Sequence, residues 1–85
     1  MVTKMKTNKI KKQIYHCISK HSDFSIKEIK DTLYLKRDLG IDSMSFIDIL
    51  VTLEDIFYIY MENDIIKNYD NLNVSDLCNY VLNKI

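Results

Sequence analysis

Asp-Leu-Gly-Ile-Asp-Ser-Met-Ser-Phe-Ile-Asp-Ile-Leu-Val-Thr-Leu-Glu-Asp-Ile-Phe, residues 38–57, joins a turn signal to a helical run that is apolar around most of its circumference. Gly40 is the only glycine in the chain, and a lone glycine just ahead of a periodic segment marks a backbone angle that other residues avoid. Asp42 is placed to cap the helix, its carboxylate accepting from first-turn amides. Ser43 then stands where the helix presents partial positive charge, a favourable position for a phosphate esterified to its hydroxyl. An Asp-Ser pair ahead of a helix can also be a cap and nothing more.

The spacing predicts a helix from Ser43 to Phe57 or Tyr58. Ile49, Leu50, Leu53, Ile56 and Phe57 form the side expected to face the rest of the protein. Met44, Ile47 and Val51 lie on an adjoining face that continues outward beside Ser43. They serve either as additional core or as a contact patch for partner proteins. Asp48, Glu54 and Asp55 give this helix its negative charge; taken singly, each reads as a solvated residue.

Working outward, Ile10, Ile14, Cys17 and Ile18, with His21 at the end, define one apolar stripe of a first helix capped by Thr7 or Asn8 and running to about Lys20. Met1 to Thr7 is expected to fray. Residues 21–42 form a long connection in which Ser25-Ile26-Lys27-Glu28 fits a capping box. Phe24, Ile26, Ile29, Leu33, Leu35 and Leu39 are its expected pegs into the core, with Tyr34 a further candidate. Past Tyr58, Ile59-Tyr60-Met61 reads as extended or loop-like. A short third helix begins at Asn63 or Asp64, carries Ile65, Ile66 and Tyr69, and breaks at Asp70-Asn71. Asn73 caps a last helix whose Val74, Leu77, Cys78, Val81, Leu82 and Ile85 close the core. The fold class is therefore all-α: a small four-helix bundle with a long loop between its first two helices and a short third helix.

Eighty-five residues accommodate one domain, 1–85, and 47% hydrophobic with 28% charged residues excludes the disordered class. No apolar run is long enough to cross a bilayer, and the lysine-rich first twelve residues lack a signal-peptide core, so a cytoplasmic location is expected. The chain is also expected to be a monomer. Cys17 and Cys78 fall in the apolar stripes of separate helices and read as core residues, the alternatives being a disulfide or a reactive thiol. His16 and His21 beside Cys17 match no zinc pattern, and no metal site is expected. Neither a phosphate-cradling glycine loop, a nucleophile elbow nor a convincing Ser-His-acid set is present, so catalysis by the chain itself is not expected.

Residues 1–37 hold ten Lys/Arg against three Asp/Glu, whereas residues 38–85 hold two lysines against nine Asp/Glu, giving opposite charges of +7 and −7. The acidic half would speed encounter with basic docking surfaces. The basic half, with Lys4, Lys6, Lys9, Lys11 and Lys12, supports a competing view: a helical interaction module binding nucleic acid or an anionic membrane. Against it, arginine is nearly absent and no aromatic residues interleave with these lysines.

The run Asp38-Leu39-Gly40-Ile41-Asp42-Ser43-Met44, followed by Leu50, Leu53-Glu54 and Phe57, resembles the phosphopantetheine attachment region of acyl carrier proteins, and more loosely the likeness extends over nearly the whole chain. The resemblance implies an acyl-carrier-like bundle and a 4′-phosphopantetheine arm, drawn from coenzyme A, attached covalently to Ser43. It implies Asp42 as a contact for the transferase or its metal, and Met44, Ile47, Asp48, Val51, Glu54 and Asp55 as the partner surface. The implied partners are a phosphopantetheinyl transferase and acyl-loading, condensing or modifying enzymes. The cargo would be a fatty or polyketide acyl chain held as a thioester. Gly-Ile-Asp-Ser looks more like the acyl branch than the Gly-Gly-His-Ser style of peptidyl carriers, although Asp-Ser-Met also occurs in D-alanyl carriers. Three positions depart from the family: Ser45 where an acidic residue is common, Ile56 for a frequent glutamate, and Tyr58 for the usual glycine. A thinner acidic face and a basic first half point away from the housekeeping fatty acid synthase and toward a specialised pathway.

Overall fold

Four helices, α1 (Thr3–Lys20), α2 (Ser43–Phe57), α3 (Asn63–Lys67) and α4 (Val74–Lys84), make up the computed structural model, which describes the backbone of residues 3–85 and the side chains of residues 7–85. Turns of 3-10 helix at Ile26–Glu28 and Tyr69–Asn71 fill part of the connections. Among the described residues there is no strand, and Tyr34 pairs with Asn73 in an isolated bridge. The expected all-α arrangement is present, with its long first connection and five-residue third helix.

α1 begins earlier than a Thr7 or Asn8 cap predicts. No glycine or proline interrupts residues 3–8, and the lysines there are good helix formers, so the helix extends back to Thr3. Met1 and Val2, the start of the expected frayed segment, lie outside the described residues.

α1 packs against both α2 and α4, and their apolar stripes meet in one core. Ile14 and Ile18 from α1, Ile49 and Leu53 from α2, and Leu77 and Val81 from α4 are completely or almost completely buried. The long connection is pegged by Ile29, Leu35 and Leu39, with Phe24 and Leu33 half-buried against them. It is also stitched to the start of α4: Leu35 N–H donates to the Leu72 carbonyl at 3.0 Å, Val74 N–H to Leu33 at 2.9 Å and Ser75 N–H to Asp31 at 2.9 Å. Side chains cap α2 and α4, in the latter Asn73 accepting from the Asp76 amide at 2.7 Å while Asp76 accepts from the Asn73 amide at 3.2 Å.

Several expected core positions are exposed. Ile26 stands out because a single 3-10 turn turns one side inward and Ile29 takes it. Ile56 is 38% exposed: successive helical residues diverge by about 100°, and the buried sector of α2 is centred on Phe46, Leu50 and Leu53, leaving Ile56 at its margin. Ile85 lies beyond the end of α4 and is exposed. Tyr69 is buried in the 3-10 turn after α3 rather than in α3 itself. Conversely Ile41, Phe46 and Met61, absent from the expected core, are buried.

Candidate functional site

The turn that delivers Ser43 is built from residues 34–41. The Tyr34 carbonyl accepts from the amides of Asp38 and Leu39, both at 3.0 Å; the Asp38 carboxylate accepts from Tyr34 N–H at 2.7 Å; and Ile41 N–H returns to the Leu35 carbonyl at 3.0 Å. Gly40 has φ +66°, and a Cβ placed there would meet nothing within 4 Å, so the backbone angle and not lack of room calls for glycine. Leu35, Leu39 and Ile41 are buried on one side of this turn, which fixes where α2 starts.

Asp42 is the N-cap, its Oδ1 accepting from the Ser45 amide at 2.8 Å. That amide, then the Ser45 side chain, holds the Asp42 carboxyl below its ordinary value. Ser43 follows as the first residue of α2, with its side chain exposed. It borders an open cleft of about 510 Å³ whose remaining walls are Lys36, Gly40, Ile41, Asp42, Tyr69 and Asp70. Burial and a nearby acidic charge from Asp42 push the Tyr69 phenol up, outweighing the opposing influence of Lys36, so it is a neutral hydrogen-bond donor in this wall.

The predicted partner surface divides in two. Met44 at 74% exposure, Ile47 and Val51 are open to solvent beside exposed Asp48 and Asp55. Glu54 is half-buried, and its Oε2 accepts from the Met61 amide at 2.8 Å. It therefore holds the chain where it leaves α2, a structural use that the sequence pattern did not disclose. Beyond it Tyr58 adopts the left-handed conformation, φ +55° and ψ +47°, a region that favours glycine.

Lys36, Tyr69 and Asp70 were missing from the sequence-derived site. Lys36 is seven residues before Ser43, while Tyr69 and Asp70 follow α3, and only the folded chain brings them to one cleft. On the basic side, Lys9 and Lys12 are exposed, but Lys11 is engaged with Asp31 at 2.7 Å; the side chains of Lys4 and Lys6 lie outside the described residues. Cys17 and Cys78 are free and buried, and no cluster of three or more His, Cys, Asp or Glu suited to a metal occurs among the described residues. Among those residues, no helix is long and apolar enough to cross a membrane.

The family model described as a phosphopantetheine attachment site matches residues 13–81. Among characterised proteins, the chain is 32% identical over 69 residues to a protein named acyl carrier protein 3 from Ralstonia nicotianae, covering 81% of this chain and 77% of that relative.

Proposed function

The chain belongs to the acyl carrier protein family, whose phosphopantetheine-binding domain carries a covalent 4′-phosphopantetheine, and we propose that Ser43 is its point of attachment. The observation that carries this reading is the position of the Ser43 side chain: exposed, in the first turn of α2, next to an aspartate cap and open to a cleft. The cleft suits the group. Its wall carries the ammonium of Lys36, the helix start favours a phosphate, and its outer side is open for a long substituent.

When attached, the arm supplies a terminal thiol that holds acyl groups as thioesters. The protein's own residues position and present it. Gly40 and the Asp42 cap fix the helix start and hence the place on the surface from which the Ser43 side chain emerges. Met44, Ile47 and Val51, with Asp48 and Asp55, form the face read by a phosphopantetheinyl transferase and by loading, condensing or modifying enzymes. Asp42 contacts the transferase or its metal, and Glu54 contributes charge near that face while securing Met61. Tethering the acyl group to one small carrier raises its effective concentration at each enzyme that docks.

In this scheme residues 1–85 act as one carrier unit that is a substrate of other enzymes and contributes no catalysis of its own. Gly40-Ile41-Asp42-Ser43 favours acyl over aminoacyl cargo, and the sparse acidic charge around Ser45 and Ile56 favours a specialised pathway over bulk fatty acid synthesis. Incubation with coenzyme A and a broad-specificity transferase, followed by intact mass measurement, tests the assignment. One arm should be added to the native protein and none to Ser43→Ala, with helix content unchanged. A mass gain in the variant would place the attachment elsewhere.

A further inference from the structure

Four interactions join the loop ahead of α2 and the first turn of α2 to the stretch that follows α3. Three are inside or backbone-to-backbone: Leu35 N–H to the Leu72 carbonyl at 3.0 Å, the Tyr69 hydroxyl to the Ile41 carbonyl, and the Tyr69 ring stacked on Phe46 with centroids 4.9 Å apart. The fourth is ionic and on the surface. Lys36 Nζ lies 3.1 Å from Asp70 Oδ1, with both side chains more than half exposed, and 6.0 Å from the centre of the Tyr69 ring. This pair forms part of the wall of the cleft that Ser43 borders, and Lys36 is the only basic residue among the seven that line it.

Resting on the assignment of the arm to Ser43, we propose that Lys36 is a latch: in the unmodified protein it closes the seam by pairing with Asp70, and once Ser43 is esterified it pairs with the phosphodiester instead, releasing the turn after α3. Charge makes the exchange reasonable. Asp42 and Asp70 line the cleft together with Lys36, and a phosphodiester on Ser43 adds a third anion to the same space. Asp70, exposed, is readily satisfied by water when Lys36 leaves it, whereas a phosphate between two carboxylates is stabilised by the lysine it attracts. α3, which runs directly into that turn, is the part most easily loosened with it. α3 has five residues and buries one of them, Ile65, so its hold on the core is slight and a small ionic contribution is a sizeable share of it. The modification that supplies the arm thereby also loosens the segment beside it.

Hydrogen exchange by mass spectrometry on residues 63–72, comparing unmodified protein with protein fully converted by transferase and coenzyme A, tests this. An exposed ion pair corresponds to a roughly twofold to fivefold change in local opening, so exchange in this segment should accelerate by about that factor on modification. Lys36→Gln and Asp70→Asn, both surface changes, should exchange at the faster rate before modification and gain nothing from it. Unchanged exchange in fully modified wild type would overturn the latch, as would acceleration that persists undiminished in both variants. Failure of the arm to attach would instead appear as an absent mass gain, and would count against the assignment of Ser43 and not against the latch alone.

Discussion

The ring of Tyr69 stacks on that of Phe46 with centroids 4.9 Å apart and planes 28° from parallel, so the first turn of α2 is pinned to the turn that follows α3. The Tyr69 hydroxyl extends the connection to the carbonyl of Ile41, two residues ahead of Ser43. Replacing Tyr69 with phenylalanine keeps the stack and leaves that carbonyl without its donor. The expected loss is about 1–2 kcal/mol, seen as a lower urea midpoint at an unchanged slope. A variant as stable as the parent would show that the hydroxyl contributes nothing net.

A second tie is electrostatic and gives a pH signature. The Asp31 carboxylate accepts from Lys11 at 2.7 Å and from the Tyr15 hydroxyl, linking α1 to the long connection. Lys11, then Tyr15, hold the Asp31 carboxyl below its ordinary value of 3.8. A lowered carboxyl contributes stability that is fully present above its unfolded pKa and disappears as pH falls through the folded one. Melting temperatures of wild type and Asp31→Asn should therefore differ at neutral pH and converge below about pH 3.8. Because the pair is more than a third exposed on the aspartate side, the neutral-pH difference should amount to about 1 kcal/mol or less. Curves that stay parallel down to pH 2 would dismiss the ionic contribution.

What the sequence disclosed, and what it did not, follows from the range of the forces involved. The turn and cap around Gly40, Asp42 and Ser43 were legible because backbone angle and capping are local, decided within four residues. The stripes of α1 and α4 were legible because helical spacing repeats. Phe46 escaped notice because α2 is apolar on several sides, so periodicity alone could not separate buried Phe46 from exposed Met44 two residues earlier or Ile56 farther along. Met61 and Ile41 lie outside helices, where no period exists to mark them, and each is buried in the shared core. Lys36, Tyr69 and Asp70 joined the cleft for the same reason.

Tyr58 offers a stability test independent of the site. It is 94% exposed, makes no core contribution, and holds φ at +55°, where a Cβ crowds the following carbonyl. Tyr58→Gly should raise stability by about 1 kcal/mol, with circular dichroism unchanged. No gain would mean that the greater freedom of glycine in the unfolded chain cancels the relief.

The two native thiols should be silent. Burial pushes the Cys78 thiol up to about 12 and raises Cys17 as well, so little thiolate is available at neutral pH. Folded, unmodified protein should thus show no rapidly reacting thiol with a disulfide reagent at pH 8, unfolded protein should show two, and modified folded protein one. Rapid labelling of the unmodified fold would refute their burial.

Met44 and Phe46 occupy the same turn of α2 and separate docking from folding. Phe46 is 1% exposed and stacked on Tyr69, so Phe46→Ala should destabilise the protein by about 3–5 kcal/mol. Met44 is 74% exposed next to Ser43, so Met44→Glu should change stability by less than about 0.5 kcal/mol. If Met44 meets the transferase, however, the same substitution removes an apolar contact and presents a charge to a surface that must be desolvated on docking. The rate of arm attachment at limiting carrier should then fall about tenfold, equivalent to roughly 1.4 kcal/mol of lost binding in the encounter. Normal attachment kinetics in a fully folded Met44→Glu protein would exclude this face from transferase recognition, while leaving the position of Ser43 untouched.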